Sequence, residues 1–297
     1  MMQHIFGEEE FRKRISQYIK SHEYSNVHQN DLWQSLGNVA IHDRKIPISK
    51  IMDTWTLQRG YPIVIVSRFH QNGTELKTIN LKQESFVLEN SKEAKENDTS
   101  KWWIPIIYTT AGGHLNSTKP RLWLKPSDDS RDNVIQEKIA KHKALIVNVQ
   151  QIGYYRVNYD IPSWKLIKQA LKQPNHSSID PITRAQIISD SFHLSEAGYL
   201  PYKITLDMST YLINETEYIP WSTALTSNTL WAISRIMKNH SPYFNAFMKN
   251  LMTPIYKSLG LEQIETDISS KKHLRAQMIN NRCEGDDACK NMGKLLF

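Results

Sequence analysis

Ser49-Lys50-Ile51-Met52-Asp53-Thr54-Trp55-Thr56-Leu57-Gln58-Arg59-Gly60-Tyr61-Pro62-Ile63-Val64-Ile65-Val66-Ser67-Arg68-Phe69 is the stretch in which the apolar period of the chain changes. From Ser49 to Gln58 the apolar residues recur at helical steps, Gly60 ends the run, and Pro62 blocks its continuation. From Ile63 onward the residues are β-branched or aromatic and follow the period of two that a strand requires. A helical segment therefore hands over to a β-rich one at Pro62.

Toward the N-terminus, residues 8–20 place Phe11, Ile15, Tyr18 and Ile19 on one stripe, with acids first and lysine last, as the helix macrodipole favours. A second helix is predicted from Asn30, whose side chain can cap a run holding Leu32, Trp33 and Leu36. The first sixty residues thus read as helical.

Toward the C-terminus, strands are predicted over 63–69, 76–80, 85–88, 102–110, 122–124, 144–149 and 154–159. Turn-forming stretches such as Gln71-Asn72-Gly73-Thr74 and Ala111-Gly112-Gly113-His114 separate them. Seven short strands at this spacing indicate a sandwich or barrel. Residues 90–100 and 127–143 read as longer loops, with helical character over 134–139. From Trp164 the helical period returns, with helices over 181–194 (closed by Gly198), 203–212, 220–237, 242–259 and 270–282. The fold class is multidomain α and β. An all-β sandwich over 61–160 is flanked by an N-terminal helical remnant, 1–60, and a truncated C-terminal α-helical hairpin array, 161–297.

Composition narrows the function. Apolar residues at 40%, eight Trp and thirteen Tyr supply packing groups that a disordered chain lacks. The longest apolar runs fall well short of the roughly 18 residues that span a bilayer. Met1-Met2-Gln3-His4 has no basic region followed by an apolar one, so these residues hold no signal peptide or anchor. The net charge of +7 is spread out, without an aromatic-basic platform, which argues against nucleic acid as a partner.

No catalytic or metal-binding constellation emerges. His22-Glu23-Tyr24-Ser25-Asn26 approaches the zincin helix, but Asn26 stands where the second imidazole must be. Asp190, Ser191 and His193 are close in sequence, yet on a helix Ser191 faces away from the other two, and no Gly-x-Ser-x-Gly elbow occurs. Neither glycine-rich phosphate loop is present. Trp33, Trp55, Trp102, Trp103 and Trp123 lie in apolar runs and read as packing groups rather than a stacking platform. Cys283 and Cys289 cannot complete a tetrahedral zinc site; a local disulfide and a pair of free thiols both remain open. Six sequons, at Asn72, Asn97, Asn116, Asn175, Asn214 and Asn239, are candidate glycosylation sites and point to a secretory pathway.

Several of these stretches resemble one family. The stretches from Phe6-Gly7-Glu8-Glu9-Glu10-Phe11 to Asp31-Leu32-Trp33, and then from Ile51 to Pro62, are similar to zinc aminopeptidases of the aminopeptidase N family just past their catalytic core. So are Trp103-Ile104-Pro105, Gly153-Tyr154-Tyr155-Arg156-Val157-Asn158-Tyr159-Asp160, Arg184 to Asp190, and Asn214 to Trp221. The resemblance implies a β-rich domain, a zinc catalytic domain, a β-sandwich and a helical C-terminal domain, of which this chain holds the end of the second, the third and the start of the fourth. It places the Gly-x-Met-Glu-Asn strand, the His-Glu-x-x-His zinc helix and the catalytic Tyr before Met1, so that no residue here is catalytic or binds a cofactor. It further implies peptide substrates for the parent, a plasma-membrane or extracellular parent, pairing of two copies through the helical domain, and a local disulfide near Cys283 and Cys289, whose spacing is one residue short. The alternative is a stand-alone interaction module or an inactive homologue.

Overall fold

The computed structural model describes residues 1–41, 44–70, 77–87, 98–111, 113, 118–127, 133–137, 139–140, 142–174, 176–226, 229–237, 241–262 and 264–282. These divide into two compact units, residues 1–167 and 168–297.

The first unit opens with helices α1 (Met2–Phe6), α2 (Glu8–Ser21), α3 (Gln29–Leu36) and α4 (Ile48–Thr56). The α3 start differs from expectation. His28 is the N-cap, its N–H donating to Asp31 Oδ2 at 2.7 Å, and Asn30 lies inside the first turn. Nor are the first sixty residues all helical: strands β1 (Asn38–Ile41) and β2 (Arg44–Pro47) form an antiparallel hairpin between α3 and α4. Gly37 ends α3 at a positive φ of 69°, and Val39 and Ile41 alternate inward from exposed Asn38 and Ala40, a period too short to be noticed among helices.

The hairpin and helices bury one core, in which Leu36, Ile48, Ile51 and Met52 meet Trp33, Trp103 and Trp123. Trp102 is fully buried nearby, and Trp55 packs against the core from its edge. All five tryptophans therefore pack, as expected.

Eight further strands follow: β3 (Pro62–His70), β4 (Lys77–Ser85), β5 (Ile104–Ile106), β6 (Tyr108–Thr110), β7 (Leu122–Leu124), β8 (Val134–Glu137), β9 (Leu145–Val147) and β10 (Arg156–Tyr159). They form a four-stranded sheet in the order β10-β3-β4-β8 and two two-stranded ladders, β5-β7 and β6-β9. β10 runs parallel to β3, with Arg156 opposite Ile63; the other pairs are antiparallel.

Three expectations change here. The break expected between 80 and 85 does not occur: β4 runs through from Lys77 to Ser85, because Gln83 continues the inward alternation of Ile79 and Leu81 despite its polarity. Residues 134–137 are a strand rather than helical, since pairing with β4 satisfies their backbone and lets Ile135 bury. The run 102–110 changes partner at Ile107, whose carbonyl accepts from Asn148 N at 2.7 Å.

Helix α5 (Ile161–Lys172) runs across the division between the units. The second unit is helical, with α6 (Pro181–Glu196), α7 (Tyr202–Ser209), α8 (Tyr218–Ala224), α9 (Leu230–Ile236), α10 (Ser241–Leu259) and α11 (Ser269–Arg282). α6 is buried on nearly every face and is the centre about which α7 and α8 pack, while α10 lies against α11. Asp180 caps α6 by accepting from Ile182 N at 2.8 Å, and Pro181 fills the first helical position. The single helix predicted over 220–237 is two. Thr229 Oγ1 lies 2.7 Å from Ala224 O, so a hydroxyl rather than a further helical turn takes up a terminal carbonyl. Likewise 203–212 is α7 followed by a 3-10 turn, Thr210–Asn214.

Candidate functional site

The residues singled out for chemistry are already committed to structural bonds. His22 follows the end of α2, its Nδ1 2.9 Å from Tyr18 O and 3.0 Å from Ser21 Oγ. Its ring lies against Tyr18, with centroids 4.9 Å apart. In α6, Ser191 Oγ donates to Ile188 O at 2.9 Å and His193 Nδ1 lies 2.7 Å from Ser189 O, so Ser191 and His193 each close on their own helix turn and do not form a triad. Among the described residues no three His, Cys, Asp or Glu side chains stand together to hold a metal ion. Cys283, Cys289, Asn72, Asn97, Asn116, Asn175 and Asn239 lie outside the described residues.

What the motifs build instead is a pair of locks. The first seizes three consecutive peptides, Lys101 to Trp103. Gln58 Nε2 donates to Lys101 O at 2.9 Å and Gln58 Oε1 accepts from Lys101 N at 3.2 Å. Gln83 does the same for Trp102, with distances of 2.9 and 2.8 Å, and also donates to Lys125 O at 2.8 Å. Trp55 Nε1 donates to Trp103 O at 3.0 Å, and Trp103 N donates to Thr54 Oγ1 at 3.2 Å. One edge of a primary amide presents a donor beside an acceptor with peptide geometry, so glutamine can replace a missing strand neighbour, and its second N–H remains for another carbonyl, as Gln83 shows at Lys125. The helix end α4 is thereby stitched to the segment that becomes β5. The sequence showed Trp55 and Gln58 as motif residues; Gln83, in a charged stretch, carried no such signal.

The Gly153 to Asp160 motif closes the sheet by equally specific means. Asn148 is buried at φ 63°, and its amide accepts from Gly153 N at 2.8 Å and donates to the Gly153 and Tyr155 carbonyls at 3.0 Å each. A Cβ on Gly153 would stand 2.1 Å from Tyr155 Cε1. Tyr155 Oη donates to Pro105 O at 3.1 Å, Trp164 Nε1 donates to Asn158 Oδ1 at 3.1 Å, and Asp160 Oδ2 accepts from Arg68 N at 2.8 Å. Arg156 Nε donates to Tyr61 Oη at 3.2 Å, joining this motif to the one ending in Pro62.

The second lock lies in the helical unit. Arg184 of α6 and Glu215, beyond the 3-10 turn, are buried to 2% and 1% exposure. Arg184 Nε donates to Glu215 Oε2 at 2.7 Å and Nη2 to Oε1 at 2.9 Å; Nη1 donates to Ile179 O. Glu215 Oε1 also accepts from Thr216 N and Glu217 N, at 2.9 Å each, and Glu215 O accepts from Trp221 Nε1 at 3.0 Å. A buried charge pair is tolerated when its remaining hydrogen-bonding capacity is met, as here. Beside it Tyr211 is fully buried, and burial, reinforced by the Glu215 charge, raises its phenol well above the ordinary value of 10.0. Both partners stand in quoted motifs, but nothing in either motif says that they pair with each other.

The chain matches the ERAP1-like C-terminal domain over residues 144–297 and the peptidase family M1 domain over residues 1–55. It belongs to peptidase family M1, a family of metallopeptidases. It is 30% identical to an aminopeptidase N of Plutella xylostella over 100% of this chain and 31% of that one. To the human thyrotropin-releasing hormone-degrading ectoenzyme it is 31% identical over 88% of this chain and 24% of that one. To human aminopeptidase Q it is 34% identical over 76% of this chain and 22% of that one. The chain thus spans between about a fifth and a third of the length of these curated relatives. No helix among the described residues is long and apolar enough to cross a membrane.

Proposed function

We propose that this chain is the non-catalytic C-terminal portion of a zinc aminopeptidase that removes N-terminal amino acids from peptides. In this reading residues 1–60 end the peptidase domain, 61–160 form a β-sandwich whose layers are joined where 102–110 changes partner, and 161–297 begin the helical domain. The parent would hold zinc in its own peptidase domain and work at the cell surface or outside the cell, in keeping with a relative named an ectoenzyme. Two copies would pair through the helical domain, which sedimentation of the full protein tests.

One observation carries the reading. The peptidase-domain match occupies 1–55 and the ERAP1-like match 144–297, in that order, while Gln58, Gln83, Asn148, Arg184 and Glu215 spend their polar groups on internal hydrogen bonds. In this reading the segment positions a catalytic domain, and the polarising of the peptide bond is left to that domain.

The test has two arms. Genomic DNA upstream of Met1 is expected to encode Gly-x-Met-Glu-Asn and His-Glu-x-x-His in frame; unrelated sequence there would overturn the parent. The purified chain is expected to release nothing from an aminoacyl anilide in the presence of zinc, and zinc-dependent release would overturn the non-catalytic role.

A further inference from the structure

Of the six sequons, Asn214-Glu215-Thr216 is the one that falls among the described residues, and its three side chains are sorted in an unusual way. The middle residue, Glu215, is 1% exposed and held by Arg184 and two backbone N–H groups. Just before the sequon, Tyr211 and Leu212 are fully buried. Between and beyond these anchors Asn214 and Thr216 are exposed. Neither the Asn214 carboxamide nor the Thr216 hydroxyl makes a hydrogen bond among the described residues, although asparagines at helix ends commonly bond to nearby backbone. The 3-10 turn ends at Asn214, and Glu215 leaves it in an extended conformation, with φ −81° and ψ 134°. The two residues that N-glycosylation requires are thus presented outward by a segment anchored on both sides.

We propose that Asn214 carries an N-linked oligosaccharide. This rests on the secretory reading above. The Asn214 amide nitrogen attacks the anomeric carbon of an oligosaccharide borne on a lipid pyrophosphate, supplied by the membrane-bound oligosaccharyltransferase. A nitrogen–carbon bond forms, the anomeric carbon–oxygen bond breaks, the lipid pyrophosphate leaves with the electron pair, and one amide proton passes to base. The fold's part is to accommodate the product. A glycan on Asn214 displaces no hydrogen bond and leaves Glu215 in its lock, so the helical unit closes with the sugar in solvent.

The experiment expresses residues 1–297 behind a cleavable secretory signal in eukaryotic cells. Glycans are released by peptide N-glycosidase in heavy-oxygen water, which converts each occupied Asn to a labelled Asp. Asn214 is expected to be labelled. Asn214→Gln and Thr216→Ala should each remove one glycan's mobility shift, and Thr216→Ser should retain it. The thermal midpoint of Asn214→Gln should match that of the enzymatically deglycosylated chain, which separates lost glycosylation from lost folding. An unlabelled Asn214 beside any labelled sequon overturns the proposal while leaving the secretory reading standing. No label at any sequon overturns the secretory reading and the proposal with it.

Discussion

The carboxamide of Gln58 pairs in both directions with the peptide of Lys101, donating to its carbonyl at 2.9 Å and accepting its N–H at 3.2 Å. One residue further on, Gln83 pairs in the same way with Trp102. Two side chains thus act as the missing strand neighbours of a segment that lacks them, and the end of α4 is fixed to the sheet module at the level of the backbone.

The two clamps should differ in cost. Gln58 and Lys101 are half-buried, so water can replace part of what Gln58→Ala removes, and a loss of about 1 kcal/mol is expected. Gln83 and Trp102 are buried, so Gln83→Ala strands groups that water cannot reach, at about 2 to 3 kcal/mol. Urea denaturation of both variants checks the ranking, and an equal or reversed order would refute it.

Gly153 is fixed by shape. An added Cβ meets Tyr155 Cε1 at 2.1 Å and Cδ1 at 2.5 Å, so Gly153→Ala should cost about 1 to 3 kcal/mol from overpacking. Adding Tyr155→Ala should recover part of the Gly153 term in a double-mutant cycle. Strict additivity would mean that the ring is not what excludes the methyl group.

The Arg184 and Glu215 lock should respond asymmetrically. Arg184→Met leaves a buried carboxylate without its partner and should cost about 3 to 5 kcal/mol, while the double variant Arg184→Met with Glu215→Leu should lose less. Guanidinium unfolding followed by far-ultraviolet circular dichroism reads both; a double variant worse than the single one would contradict this account.

Acid should act on α11 through Asp267. Hydrogen bonds from Lys271 and then Arg275 hold its carboxyl below the ordinary value of 3.8. A depressed folded value means that the folded chain binds the proton less tightly than the unfolded chain. The stabilisation is therefore complete above the ordinary value and is lost as the pH falls through the folded one. Asp267→Asn should be less stable than the parent chain near neutrality, and the gap should close at acid pH; a gap independent of pH would count against the pairing.

Much of the architecture is readable from local pattern. The change of period at Pro62, the return to helical steps after Trp164 and the capping residues Asp180 and Pro181 are set by neighbours within a few positions, and so is the absence of a zincin pair around His22. These features depend on backbone preference and short-range spacing, which a linear sequence records directly.

Other features wait for long-range partners. Asn38–Ile41 and Arg44–Pro47 are paired strands, and Val134–Glu137 is a strand, because of what they pair with and bury against. Gln83 turns inward because a peptide 19 positions away needs it, and Arg184 finds Glu215 across 31 positions. The sequence by itself determined that helical segments would flank a strand-rich one, with the changeovers near Pro62 and Trp164. Tertiary structure alone decided which polar groups would be buried together, because a buried donor or acceptor is stable only beside a partner that folding, not adjacency, brings to it.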